Sequence, residues 1–291
     1  MKRTAFMTAA LMSAALACAL FGSSQLAVAQ SSDKDAKDKD AKKDAAAPQT
    51  TPSGKHLPQA KTQPEFDAYQ AAMVSTTPEA TEKAGDDFAA KFPESEIKIL
   101  IFKQAMRSYQ SANNADKVVD LGRKSLAIDP DDPEVLVDVA QALAERTRSS
   151  DLDKDQKYAE AQKYAEKSLQ TVDTDLVVTP GTPQDKVDQF KGYLRSTAYG
   201  ILGAISYNKD TKADYAAAEG YLRKSIAALP SQPDPVAQLR LAIALDKQDH
   251  YSDALAEANK AVQMTKEGTV VGDTARREQS RLQTLTANSI K

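Results

Sequence analysis

The sequence is poor in the residues that form disulfides, reactive thiolates and aromatic binding surfaces. Its 291 residues include one cysteine, Cys18, and no tryptophan, and aromatic residues make up 6% of the chain. Cys18 lies in an N-terminal segment with the features of an export signal. If that segment is removed, the mature chain has no thiol, which excludes disulfides, thiolate catalysis and cysteine-ligated metals. The scarcity of aromatic rings argues against a sugar-stacking site and favours a core of small and aliphatic side chains.

Basic charge and histidine are also sparse. The formal net charge is −3, and the histidines are His56 and His250. No basic excess indicates a nucleic-acid partner, and two widely separated histidines cannot build a histidine-based catalytic centre. The sequence has no nucleophile elbow, no glycine-rich phosphate loop and no His-Glu-x-x-His motif. We therefore expect a protein that is not an enzyme and that holds no cofactor and no metal.

One acidic stretch resembles the start of a calcium-binding loop, because aspartates alternate from Asp151 to Asp155. Such a loop next requires a glycine, where this chain has Gln156, and it ends on a glutamate, where this chain has Gln162. Lys154 also places a positive charge inside the supposed site. A helix start with an aspartate as N-cap explains the stretch better.

Residues 1–29 have the three parts of a secretory signal peptide. Lys2 and Arg3 precede a mostly apolar run from Ala5 to about Phe21, and Ala27-Val28-Ala29 supplies small residues at a cleavage site. We expect cleavage after Ala29 and export to the periplasm or cell envelope of a bacterium. Two alternatives stay open: an uncleaved anchor, because the run is near the lower limit for a membrane span, and lipidation of Cys18.

Residues 30–63 show no hydrophobic period. Lys and Asp alternate from Asp33 to Asp44, and Ala, Pro, Thr and Gly dominate as far as Lys61. This composition cannot bury enough apolar surface to offset the entropy lost on ordering. It predicts a flexible, charged and Pro/Ala/Thr-rich tether in which His56 is solvated.

The clearest structural signal lies in residues 235–262. The positions of one helical face are spaced three and four residues apart: Gln238, Leu241, Ala242 and Leu245. After a polar break the same period restarts with Tyr251, Ala254, Leu255, Ala258, Ala261 and Val262. The pattern predicts an αα-hairpin with small residues at the helix contact. One hairpin cannot bury its apolar face alone, so neighbours of the same kind are expected.

Paired helical periods fill residues 64–290 and predict an all-α, helical-hairpin solenoid of about five repeat units with a C-terminal capping helix. Pro93, Pro130 and Pro230 end three of the units because proline cannot continue a helix. The final helix is predicted from Asp273 to Ile290, with the polar face that a solenoid end requires. The linker 177–185 is a candidate division of the solenoid into two lobes.

The residues from Lys124 to Pro130 resemble the end of a tetratricopeptide (TPR) repeat, a helix-turn-helix unit of about 34 residues. In the same phase, Phe102 and Met106 match apolar and small-residue positions of that repeat, and Leu202-Gly203 match the equivalent pair of a later unit. The chain departs from the family pattern by lacking its tryptophan and by irregular spacing between units. The resemblance implies a TPR-like fold over residues 64–290.

TPR arrays bind proteins or peptides in a concave groove lined by the first helices of the units. By this resemblance the groove-facing residues are Lys103, Arg107, Gln110, Gln141, Glu145, Tyr207, Asn208, Asp246 and Lys247. The same residues also fit the plain polar face of any amphipathic helix. The function that the resemblance implies is a non-enzymatic interaction scaffold of the bacterial periplasm or cell envelope, with a protein or peptide partner. The alternative is a membrane-tethered subunit of an envelope assembly machine.

Overall fold

The computed structural model describes residues 55–148, 150–209 and 211–288, and gives only the backbone of Asn288. Within these ranges the chain forms eleven helices and no strand: α1 Gln63–Met73, α2 Pro78–Lys91, α3 Lys98–Ser111, α4 Ala115–Leu126, α5 Pro133–Arg146, α6 Lys154–Thr171, α7 Gln184–Lys209, α8 Lys212–Ala228, α9 Pro235–Asp246, α10 Tyr251–Met264 and α11 Val270–Asn288. The predicted signal peptide, Cys18 and residues 30–54 of the predicted tether lie outside the described residues.

The helices pair in chain order into five hairpins, α1/α2, α3/α4, α5/α6, α7/α8 and α9/α10, and α11 follows as a single helix. The two helices of each hairpin pack on each other, and the second helix of each packs on the first helix of the next. This arrangement confirms the predicted all-α, helical-hairpin solenoid with five units and a final helix.

Side-chain caps explain where many of the helices begin. Thr62, Thr77, Asp132, Thr211 and Asp234 each accept a hydrogen bond from a backbone N–H of the following first turn. A proline also occupies the first turn of α1, α2, α5 and α9, where no helical N–H partner is lost. These local signals set the helix starts that the periodicity had left approximate.

The second and fifth hairpins turn in the same way. Asn113 and Asp249 adopt positive φ angles of 54° and 67°, the left-handed conformation that commonly ends a helix. The next backbone N–H then returns to the helix: Asn114 N bonds Tyr109 O at 2.9 Å, and His250 N bonds Leu245 O at 3.0 Å. The shared turn shows that the two units repeat the same backbone geometry.

The contact between α9 and α10 is built from the predicted positions. Leu241, Ala242 and Leu245 are buried on α9, and Ala254, Ala258 and Ala261 are buried on α10. Gln238 occupies an apolar register position, and its buried amide donates a 2.6 Å hydrogen bond to the Glu257 carboxylate. Alanines at these positions let the two helices approach closely, so the hairpin assignment is confirmed.

Gly203 marks the close approach of α7 and α8. A Cβ atom at this position would lie 2.8 Å from Leu222 Cγ and 3.5 Å from the Leu222 backbone nitrogen. A larger residue would push the helices apart, because real Cβ contacts are longer than this. The small residue at this register position is therefore required by packing within the unit.

The buried core continues through the linker 177–185. Leu176 and Val178 belong to the same cluster as Val187 and Phe190 beyond it, and that cluster reaches back to Phe102 on α3. The linker therefore contributes side chains to a buried cluster shared with residues on both sides of it, and the division into two lobes stays a prediction.

Residues 55–62, the last part of the predicted tether, lie against the solenoid. Lys55 Nζ lies 2.7 Å from the Asp129 carboxylate and 3.4 Å from that of Asp175. His56 Nε2 lies 2.8 Å from the Glu96 carboxylate, so His56 has a partner rather than being only solvated. Lys61 Nζ donates to the Glu94 carbonyl at 2.9 Å. The contacted residues lie in connections between helices, which places this segment along one edge of the array.

The last helix closes the C-terminal end. Ala275 and Leu282 are fully buried against α9 and α10, while Arg277 and Ser280 are exposed. One face therefore covers the core and the other meets water, as a solenoid cap requires. Within the described ranges, none of these helices combines the length and apolar character needed to span a membrane.

Candidate functional site

The first helices of the units lie on the inner side of the solenoid. α1 packs on α3, α5 on α7, α7 on α9 and α9 on α11, whereas the second helices of neighbouring units share no comparable contacts among the described residues. α3 and α5 are the exception among the first helices, because they do not pack closely and meet through long side chains. Helices that approach each other from unit to unit lie on the smaller radius of a curved stack. They therefore line its concave face, here called the groove.

Between the second and third units, ion pairs cross the gap from α3 to α5. Lys103 Nζ lies 2.8 Å from the Asp132 carboxylate and 2.6 Å from that of Glu134, and an Arg107 guanidinium nitrogen lies 2.8 Å from Glu134. The side chains of Lys103 and Glu134 are 12% and 8% exposed. These charges, predicted to contact a partner, are used within the chain to join two units.

The electrostatics of this cluster follow from its burial. The positive charges of Lys103 and Arg107 outweigh the desolvation of Glu134 and lower the pKa of its carboxyl to about 2. Asp138 lies one turn further along α5. Burial, together with repulsion from Glu134, raises the pKa of the Asp138 carboxyl to about 7, although Gln110, Arg107 and Lys103 oppose the shift. Gln110 therefore lies beside Asp138.

Further along α5, the predicted residues Gln141 and Glu145 pair with each other. The Gln141 amide donates to the Glu145 carboxylate at 2.8 Å. Glu145 is an exposed residue, yet desolvation by the surrounding protein raises the pKa of its carboxyl. Desolvation disfavours the charged form of a carboxyl group, which is why this pKa rises.

At the C-terminal end of α7, Tyr207 and Asn208 occupy different surroundings. The Asn208 amide donates to the Tyr158 hydroxyl on α6 at 3.1 Å. The Tyr207 ring packs edge-on against Tyr215, with centroids 5.5 Å apart. Arg240 on α9 is within electrostatic reach of Tyr207, Tyr158 and Glu145, so this part of the groove gathers residues from three units.

The remaining two predicted residues lie at the end of α9. The Asp246 carboxylate is 2.5 Å from the Arg281 guanidinium of the final helix and is 11% exposed, so it holds the cap in place. Lys247, the C-cap residue of α9, is exposed. Asp246 thus has a structural partner, and Lys247 is open to solvent.

The mapping from the repeat pattern did not include four groove residues: Glu134, Asp138, Tyr193 and Arg240. Glu134 raises the pKa of both Lys103 and Arg107, and Asp138 raises that of Arg107. Burial, together with the Asp138 charge, raises the pKa of Tyr193. The sequence did contain a feature that could have identified Arg240, because it is the single basic residue of α9. A lone charge inside a mostly apolar helix needs a structural or functional reason.

The aspartate-rich insertion does not form a calcium loop. Asp151 accepts from the Arg148 backbone N–H at 3.1 Å and approaches Lys157 Nζ at 3.5 Å. Asp153 is the N-cap residue of α6, as expected from the helix-start interpretation, but its side chain makes no capping hydrogen bond. Across the described ranges, no group of three acidic, histidine or cysteine residues is arranged to hold a metal ion.

No protein-family model matches this chain, and no curated protein matches it. Among solved structures, it is similar to a chain described as "Assembly Chaperone of RpL4 (Acl4) (Residues 1-338)", with a TM-score of 0.42 and 10% identity over 78% of this chain and 98% of that one. It is also similar to a chain described as "Computational Design of Self-Assembling Cyclic Protein Homooligomers", with a TM-score of 0.25 and 13% identity over 77% of this chain and 92% of that one. Scores this low do not support an inference about function, so the helical-repeat architecture rests on the packing described above.

Proposed function

We propose that this chain is a non-enzymatic, TPR-like scaffold that binds a protein or peptide in its groove. The observation that carries the proposal is the groove itself. It is the face on which first helices of neighbouring units approach one another, and it carries polar side chains such as the exposed Glu145. An extended chain segment laid along such a face can meet side chains from several helices at once.

Some groove residues form no ion pair between units and remain available to a partner. Lys103, Arg107 and Asp246 stabilise contacts between units. Glu145, Asn208 and Lys247 remain exposed. The binding region in this proposal therefore lies between the third and fifth units, away from the charge cluster of the second and third units.

The proposed location is outside the cytoplasm, in the periplasm or cell envelope. This part of the proposal rests on the basic start at Lys2-Arg3, the apolar run and the Ala27-Val28-Ala29 site. Mass spectrometry of the mature N-terminus after expression with the native leader tests it. A chain starting at Gln30 in the soluble fraction supports a free scaffold, and retention of earlier residues in membranes supports the tethered assembly subunit.

A photo-crosslinking amino acid placed at Glu145 tests groove binding in the native host. Asp120, exposed on the outer helix α4, is the matched control position. We expect a discrete crosslinked protein from position 145 and none from position 120. Equal products from both positions, products from position 120 alone, or no product at all would contradict groove binding.

A further inference from the structure

Arg240 differs from Lys103, Arg107 and Arg281 because no hydrogen bond or ion pair joins it to another described residue, and it differs from the exposed Lys247 because it is partly buried. Lys103 and Arg107 lie 2.6–2.8 Å from carboxylates, and Arg281 lies 2.5 Å from Asp246. Arg240 lies on α9 between the buried residues Leu239 and Leu241, and no hydrogen bond or ion pair joins its guanidinium to another described residue. Burial lowers the pKa of this group from its ordinary value.

The groups that face Arg240 come from several elements and are engaged elsewhere. Asp234 caps α9 through Val236 N at 2.9 Å and Ala237 N at 3.3 Å. Glu145 accepts the Gln141 amide at 2.8 Å. The Tyr158 hydroxyl donates to the Thr147 carbonyl at 3.4 Å and accepts from Asn208.

Burying an arginine side chain in this position is unfavourable unless an anion binds its guanidinium. Its guanidinium stays charged at neutral pH and carries five N–H donors in a planar fork. Removing such a group from water without a hydrogen-bonded counter-ion is unfavourable, and the penalty is recovered when a carboxylate binds bidentately. The fold therefore presents a partly desolvated cation to the groove without using it for its own stability.

We propose that Arg240 binds the carboxylate of an aspartate or glutamate side chain in an extended peptide lying in the groove. The inference rests on the proposed function and gives its ligand a chemical class. The charge balance favours a carboxylate over a phosphate, because the neighbouring Glu145 and Asp234 charges act on the same guanidinium. A group with a second negative charge would meet these carboxylates without a second cation to offset them. Tyr158 and Tyr207 are within electrostatic reach of Arg240, and tyrosine side chains suit contact with a peptide backbone.

The test is affinity selection from two synthetic libraries of random dodecapeptides against the purified protein. The first library has amidated C-termini, so every carboxylate in it belongs to a side chain. The second has free C-termini and lacks Asp and Glu. We expect the first library to yield peptides with Asp or Glu enriched at one position, and the second to yield no comparable enrichment.

Three variants are then compared on the selected peptides. Arg240→Gln should weaken their binding about ten-fold or more, the effect of losing a charge-assisted hydrogen bond. Arg240→Glu should select Lys or Arg at the same position. Arg277→Gln makes the same chemical change on the exposed face of the cap and should leave both affinity and selection unchanged.

The possible failures are distinguishable. If neither library yields peptides that bind, the proposed groove function itself is wrong. If peptides bind but Arg240→Gln selects the same acidic position with equal affinity, the function stands and the assignment of Arg240 is wrong. Enrichment only in the library with free C-termini would replace the side-chain carboxylate by a terminal one and overturn the proposal.

A second readout does not need a ligand. Because Arg240 has no partner to lose, Arg240→Gln should keep or raise the melting temperature measured by circular dichroism. A fall as large as that caused by Arg107→Gln, which breaks the pair with Glu134, would show that Arg240 is structural and contradict the inference.

Discussion

Lys103 on α3 and Glu134 on α5 form a 2.6 Å ion pair across the boundary between two repeat units. Arg107 lies 2.8 Å from the other oxygen of the same carboxylate. One acidic side chain thus neutralises two cations at a site where the first helices of neighbouring units do not pack closely. The stability of this boundary should depend on Glu134 more than on any single exposed pair.

Replacing Glu134 with Gln should lower the free energy of unfolding by about 3 kcal/mol. The change leaves Lys103 and Arg107 desolvated and without their shared counter-ion, which is more damaging than losing the pair as a whole. Urea unfolding followed by circular dichroism measures the loss. Arg123→Gln is the control, because its pair with Glu160 is surface-exposed and such pairs contribute about 0–1 kcal/mol. Equal losses in both variants would show that the boundary is not held by this cluster.

Replacing Asp138 with Asn should change how stability depends on pH. The folded-state pKa of Asp138 is raised to about 7, above the value of about 3.9 expected in the unfolded chain. Between these values the folded protein holds a proton that the unfolded chain has released, so raising the pH across this window removes stability. Relative to the wild type, Asp138→Asn should therefore gain stability as the pH rises from about 4 to about 7.

The measurement is the difference in melting temperature between the two proteins at several pH values, which cancels titrations common to both. Glu134 contributes in the opposite direction at lower pH. Its folded pKa is lowered to about 2, so its stabilisation is present above about pH 4.3 and is lost as the pH falls towards 2. A difference between Asp138→Asn and the wild type that does not vary from about pH 4 to about pH 7 would contradict the raised pKa of Asp138.

Ala254→Asp should lower the melting temperature by about 6–12 °C. Ala254 is fully buried in the contact between α9 and α10, and an aspartate there would bury an unpaired charge. Ala256→Asp introduces the same residue two positions later, on the exposed face of the same helix, and should have little effect. A similar small change for both variants would mean that α9 and α10 do not form the hairpin described.

Gly203→Ala and Gly220→Ala should change stability in opposite directions. At Gly203 the added Cβ would lie 2.8 Å from Leu222, so the helices must shift, at a cost of about 1–3 kcal/mol. At Gly220, inside α8, nothing lies within 4 Å of the added Cβ. Alanine should therefore stabilise that helix by about 0.5–1 kcal/mol. Thermal unfolding of the two variants tests the close approach directly, and stabilisation by both would argue against it.

The fold was largely predictable because its information is local. The spacing of Leu241, Ala242, Ala254 and Ala258 defines a hairpin contact without reference to any other unit, and all four are buried. Helix starts follow from neighbouring residues such as Asp132 and Pro133. Repeating such local units leaves few alternatives to a solenoid.

The groove was predicted less well because its chemistry depends on distances between units. Nothing on α3 alone indicates that Lys103 and Arg107 meet Glu134, since the partner lies on another helix at a separation that the pattern does not specify. The interpretation of Lys103 and Arg107 as free binding residues considered each helix by itself. Arg240 was missed for the related reason that its register position was assigned no groove contact.

The segment from Lys55 to Lys61 links connections that belong to different units of the solenoid. It is anchored near Glu94 at one end, and near Asp129 and Asp175 at the other. Seven extended residues reach at most about 25 Å. Stacked hairpins can separate at this edge only as far as the length of the bound segment allows. The first units are therefore limited in how far they can open, while the units that carry Arg240 have no such restraint among the described contacts. We therefore expect the array to open more easily at its C-terminal end, and a long segment entering the groove should be admitted there first.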